Sequence, residues 1–117
     1  MEEQKTRKEE TSRIADVVNS YCHDQMGMSP KKISVDIHDQ LITVTLEGVS
    51  HPAELNLAKE QLSRSMLQKI YSELFDVSKS ILHSSVHRIM DKTVIHSFFT
   101  VDPKYGNAVI VLFLEKI

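Results

Sequence analysis

Apolar residues recur along this chain with two distinct periods. Ile14, Val17, Val18, Tyr21, Cys22 and Gln25 share one stripe at helical spacing. Gly27 suits the end of that helix and Pro30 cannot continue it, so the first helix is predicted to stop near Met26. Before it, Met1–Arg13 is dominated by charge of both signs, and a frayed or solvated helix start is expected over residues 1–12. From Lys32 to Gly48 the period becomes two. Ile33, Val35 and Ile37 oppose Ser34, Asp36 and His38; after a tight His38-Asp39-Gln40 turn, Ile42, Val44 and Leu46 oppose Leu41, Thr43, Thr45 and Glu47. That pattern predicts an antiparallel hairpin with one dry face and one wet face.

The stretch from Leu46 to Met90 organises the rest. Gly48 can end a strand, Pro52 suits the first position of a helix, and Glu54 places a negative charge near its positive end. Beyond them Leu55, Ala58, Leu62, Met66, Ile70, Leu74, Val77 and Ile81 recur every three or four residues. An unbroken helix from Pro52 to Met90 would run roughly 58 Å at ~1.5 Å per residue. A bend is therefore predicted near Phe75-Asp76-Val77-Ser78, with Asp76 capping a second helix.

A second strand pair is predicted over Thr93–Val101 and Ala108–Glu115, joined by the turn Asp102-Pro103-Lys104-Tyr105-Gly106-Asn107. Its strands are apolar on both faces: Val109, Val111 and Phe113 oppose Ile110, Leu112 and Leu114, while Val94 and Phe98 oppose Ile95 and Phe99. The expected architecture is α+β, a two-layer sandwich of order α-β-β-α-(α)-β-β. A four-stranded, mostly antiparallel sheet carries helices on one face. One helical layer covers one face, so Val94, Phe98, Val109, Val111 and Phe113 (or the opposite set) are left as a candidate interface. A homodimer covers it most simply.

Composition narrows the classes. At 117 residues the chain is read as one domain, 1–117, able to bury a core. Its net charge of -2 offers no general attraction to nucleic acid or anionic lipid. No apolar run approaches the ~20 residues that span a bilayer, and the start lacks the apolar core of a signal peptide. The single cysteine, Cys22, excludes an internal disulfide. A cytoplasmic domain is expected.

Candidate chemistry is sparse. His83 and His87 lie four apart, a spacing that on a helix could chelate one ion. They fall away from the Val77, Ile81, Val86, Ile89 stripe, towards solvent, and no carboxylate or cysteine completes a set. His51 and His96 are third ligands only if the fold brings them close. Cys22 beside His23 does not make an activated thiol, because adjacent helical residues point about 100° apart. Asp36, Asp39 and Glu47 read as solvated carboxylates. There is no Gly-rich phosphate loop, nucleophile elbow or paired-cysteine zinc pattern. No catalytic set, cofactor or bound metal is expected, and the residues alone point to a non-catalytic interaction domain.

The ordered set Gly27-x-x-Pro30, Leu46-Glu47-Gly48 with Pro52-Ala53-Glu54, Phe98-Phe99, Asp102-Pro103 and Val109-Ile110-Val111-Leu112-Phe113-Leu114-Glu115 resembles the MpsC family over about residues 10 to 116. Asp91-Lys92-Thr93 departs from the Thr-Gly-Arg-like turn common there. The resemblance implies an accessory component of a bacterial membrane potential-generating system. That system is associated with Na+ or H+ transport and bicarbonate accumulation. Its partners would be a membrane ion-transport subunit and a large soluble zinc-dependent subunit, reached peripherally. Two other classes stay open: a cytoplasmic small-ligand or metal binder using the helix–sheet cleft, and an enzyme assembled from His38, His51, His96 and nearby acids.

Overall fold

A computed structural model describes the backbone of residues 2–116 and the side chains of residues 6–116. Helix α1 (Glu2–Tyr21) continues as a π-helical turn (Cys22–Met26); strands β1 (Lys32–His38) and β2 (Leu41–Glu47) follow. Then come helices α2 (Pro52–Leu57) and α3 (Gln61–Met90) and strands β3 (Val94–Asp102) and β4 (Asn107–Leu114). The strands form one sheet in the order β1-β2-β4-β3, every neighbour antiparallel. Helices α1 and α3 pack on one face, α1 over β1 and α3 over β3. The chain is an α+β protein with an open four-stranded sheet, as its periods predict.

The solvated start of the first helix is helical from Glu2, with Arg7, Lys8 and Glu9 exposed; Met1 lies outside the described residues. The helix ends as expected. Gly27 adopts a left-handed φ of 65° and its N–H returns to the Cys22 carbonyl, a bond that Met28 N–H shares at 3.0 Å. The wider turn carries both Met26 and Met28 into the core beside Ile14, Val18, Tyr21 and Cys22. Gly48 ends β2 at φ 69°, and a Cβ there would lie 2.8 Å from the Lys31 side chain, so a larger residue meets both strain and a clash.

The predicted bend in the long helix is not at Phe75–Ser78. The chain breaks earlier, at Ala58-Lys59-Glu60, where Glu60 is extended (φ −90°, ψ 129°), and α3 then runs unbroken to Met90. The cause is local. At α2 the His51 N–H donates to Glu54 Oε1 at 3.0 Å, while Glu54 Oε2 accepts the Tyr71 hydroxyl at 2.5 Å. Glu54 thus fastens the first helical turn back onto α3, and Arg64 caps the Ala58 carbonyl at 2.9 Å.

The face of α3 that turns inward also differs from the expected one. Tyr71, Phe75, Ser78, Leu82 and Val86 are buried, whereas Leu55, Leu62, Met66, Ile70, Val77 and Ile81 are exposed. Of the expected stripe only Ala58 is buried, with Leu74 half-buried. Phe75 stacks on Phe99 at 5.3 Å and meets Tyr21 edge-on at 6.4 Å, joining both helices to β3. Two polar groups thread this apolar layer: Tyr21 and Ser78 are linked hydroxyl to hydroxyl at 2.6 Å. Aromatic packing and this bond select the inward face over the more aliphatic stripe.

Candidate functional site

Strand pleating sends alternate residues of each strand to the face that no helix covers. There, Leu41 lies opposite Phe113, Thr43 opposite Val111 and Thr45 opposite Val109; on the other side of β4, Phe98 lies opposite Val111 and His96 opposite Phe113. Phe98 is 54% exposed, and Val109, Val111 and Phe113 are half-buried only by their own neighbours in the sheet. The two phenylalanines meet edge-on at 5.9 Å, and His96 stands edge-on to Phe98 at 4.4 Å. Four of the five candidate interface residues thus form one surface.

Val94 does not belong to it. Strand β3 carries an irregularity between Val94 and His96, so Ile95 is an extra residue and Val94 is returned to the helix face opposite Leu114. Val94 is 8% exposed; Ile95, at 66%, stands out in its place. Simple alternation cannot register a bulge. Leu41, Ile95 and His96 are members of the surface that the sequence pattern missed.

The histidines do not converge. Pairing places His38, Leu41, Phe113 and His96 in one row across the sheet. Strands are ~4.8 Å apart, so His38 and His96 stand roughly 14 Å from each other. His51 is at the start of α2, by the opposite strand ends. His83 is half-buried and its Nε2 lies 2.8 Å from the Ser97 hydroxyl, while His87 is exposed. Burial, with the nearby Lys79 charge second, holds His83 below its ordinary pKa. Among the described residues no group of three or more His, Cys, Asp or Glu could hold a metal ion.

Other candidates have structural roles. Cys22 is buried, and burial pushes its thiol up to about 12, the reverse of an activated nucleophile. Glu47 pairs with Lys32 at 3.7 Å, and Asp39 lies 3.5 Å from His38 at the hairpin tip. Asp36 faces outward on β1 with solvent around it. A cleft of about 480 Å³ between α3 and the β3–β4 end is lined by Arg64, Gln68, Asp102, Lys104 and Asn107. Its charges are of both signs, and Gln68 is committed to the Val101 carbonyl at 3.2 Å.

No helix of the described residues is long and apolar enough to cross a membrane. Neither a curated protein nor a solved structure matches the chain. A family model does, over residues 6–116, so nearly the whole sequence is covered. The chain belongs to the MpsC family, described as the Na+-translocating membrane potential-generating system (MpsC).

Proposed function

We propose that this protein is a non-catalytic accessory component of a bacterial membrane potential-generating system that moves Na+ or H+ and is coupled to bicarbonate accumulation. It acts by binding other proteins, and the bare face of β3 and β4 is its contact surface. The observation that carries this reading is the aromatic cluster of His96, Phe98 and Phe113 on a sheet whose packed helices, α1 and α3, lie on the other side. Burying each such side chain is worth roughly 1.5–3 kcal/mol, so a few suffice to hold a partner. The partner is a membrane ion-transport subunit or the large soluble subunit that works with it. The domain reaches the membrane from the cytoplasm through that partner.

The test is complementation. Cells lacking the chain should lose Na+-dependent membrane potential, read with a potential-sensitive dye, and the unaltered protein should restore it. Val111→Glu, in a protein whose helical circular dichroism and melting are retained, should fail to restore it. Full restoration by that variant would place the contact elsewhere, and an undisturbed potential in the cells lacking the chain would remove the role.

A further inference from the structure

Helix α3 carries a second apolar surface, on the side turned away from its packed face. Leu62 is 75% exposed and Val77 80%, with Met66, Ile70 and Ile81 about half exposed. The stripe from Leu62 to Ile81 is roughly 28 Å long at ~1.5 Å per residue. On the helical wheel it is centred roughly 145° from the buried residues, counting ~100° per residue. Neither the tight helix ends nor the packing of the core explains why these positions are aliphatic.

Four of the five apolar residues along the stripe exchange with one another under reversal, and Ile70 falls opposite Glu73. Turning the helix end for end about a point between Tyr71 and Ser72 exchanges Leu62 with Ile81 and Met66 with Val77. The same turn exchanges Lys69 with Glu73, to within one residue. Lys69 flanks the stripe and Glu73 lies at its edge, both on the side away from α1, the side that meets its own copy when two helices run antiparallel. Among the described residues, the ion pairs involve neither of them. The charges along this side are mixed, with Lys69 against Glu73 and Asp76. A helix that lies on anionic lipid would instead be flanked by cations alone.

We infer that the outward stripe of α3 is a self-recognition surface, on which a second copy of this chain lays the same helix antiparallel about a two-fold axis. Leu62, Met66, Val77 and Ile81 interleave with their counterparts, and Lys69 of each copy meets the other's Glu73 beside Ile70. The pairing is isologous and closes at two copies. The homodimer expected from the strand pattern is thereby seated on the helix, and the sheet stays open for the proposed partner.

Sedimentation velocity of the full chain at micromolar concentration tests this, and a dimer is expected. Val77→Glu should give a monomer that keeps its helical spectrum, since Val77 is 80% exposed. Lys69→Glu and Glu73→Lys should each raise the dimer dissociation constant about ten-fold by setting like charges together, and the double swap should recover most of that loss. Met66→Cys mixed with Val77→Cys should form a disulfide-linked pair far faster than either alone; buried Cys22 does not compete. A monomeric wild-type chain would overturn the inference, as would a dimer untouched by Val77→Glu or broken by Val111→Glu instead. Additive losses in the double swap, or Met66→Cys linking best to itself, would do the same.

Discussion

The hydroxyls of Tyr21 and Ser78 lie 2.6 Å apart in the core, and the Ser78 proton is already committed to the Leu74 carbonyl, also at 2.6 Å. Tyr21 is therefore the donor to Ser78, and α1 is tied to α3 by a chain of two bonds with a fixed direction. The α1–α3 contact gains a specific register that apolar packing alone would leave adjustable.

Removing the donor exposes this direction. Tyr21→Phe keeps the ring against Phe75 but leaves the Ser78 oxygen without its incoming bond, at a cost of about 1–3 kcal/mol. Ser78→Ala leaves the Tyr21 hydroxyl unsatisfied at a similar cost. The double variant should lose clearly less than the two single losses combined, because no orphaned group remains. Urea unfolding of the three variants measures the coupling; strict additivity would mean that water replaces the bond.

Alkaline pH should loosen the same region. Burial pushes the Cys22 thiol from 9.0 up to about 12, and Tyr21 is raised from 10.0 chiefly by burial, then by charge on Cys22, with the Ser78 bond opposing. Both groups hold their protons longer when folded than when unfolded. Their contribution is full below the unfolded values and is lost as pH rises through the interval from about 9 to 12. Urea midpoints taken upward from pH 8 should fall across that window, and Cys22→Ala should flatten the first part of the decline.

On the acid side His83 works in the opposite sense. Burial first, and the Lys79 charge second, lower its pKa below 6.5 in the fold. As pH drops below 6.5 the unfolded chain takes up the proton first, so stability declines there. His83→Gln should remove that part of the acid dependence. Proton-detected titration of the His83 ring should show it titrating below 6.5.

Both hairpins were legible because their turns are written in residue type: the Asp39 backbone at φ 55° and Gly106 at φ 71° fall where the sequence places the turns. Period two also carried the sheet faces correctly, except at Ile95. The period of α3 marks it as a helix but does not fix which face turns inward. Hydrophobicity ranks Leu62, Met66, Ile70, Val77 and Ile81 as the natural inward stripe, yet the core takes Tyr71, Phe75 and Ser78. What decides is the partner across the interface: Tyr21 supplies a hydroxyl for Ser78, and Phe99 a ring for Phe75. Those pairings span long stretches of sequence and leave no local trace. The bare face of the sheet shows in the sequence as strands with two apolar faces, whereas by period alone the helix stripe is indistinguishable from a core face.

The extra residue in β3 has a consequence for how this fold can change length. Ile95 projects from the strand and resets its alternation, so that Val94 and Ser97 both face the helices. A chain with Ile95 deleted would run through this segment in an uninterrupted two-residue frame, with every remaining side chain on the face it occupies now. Such a deletion should therefore fold and keep its melting temperature within a few degrees. Removing one residue between Phe98 and Val101 would instead throw the frame and turn the strand inside out. Position 95 is thus a joint at which the sequence can lose a letter without losing its sense.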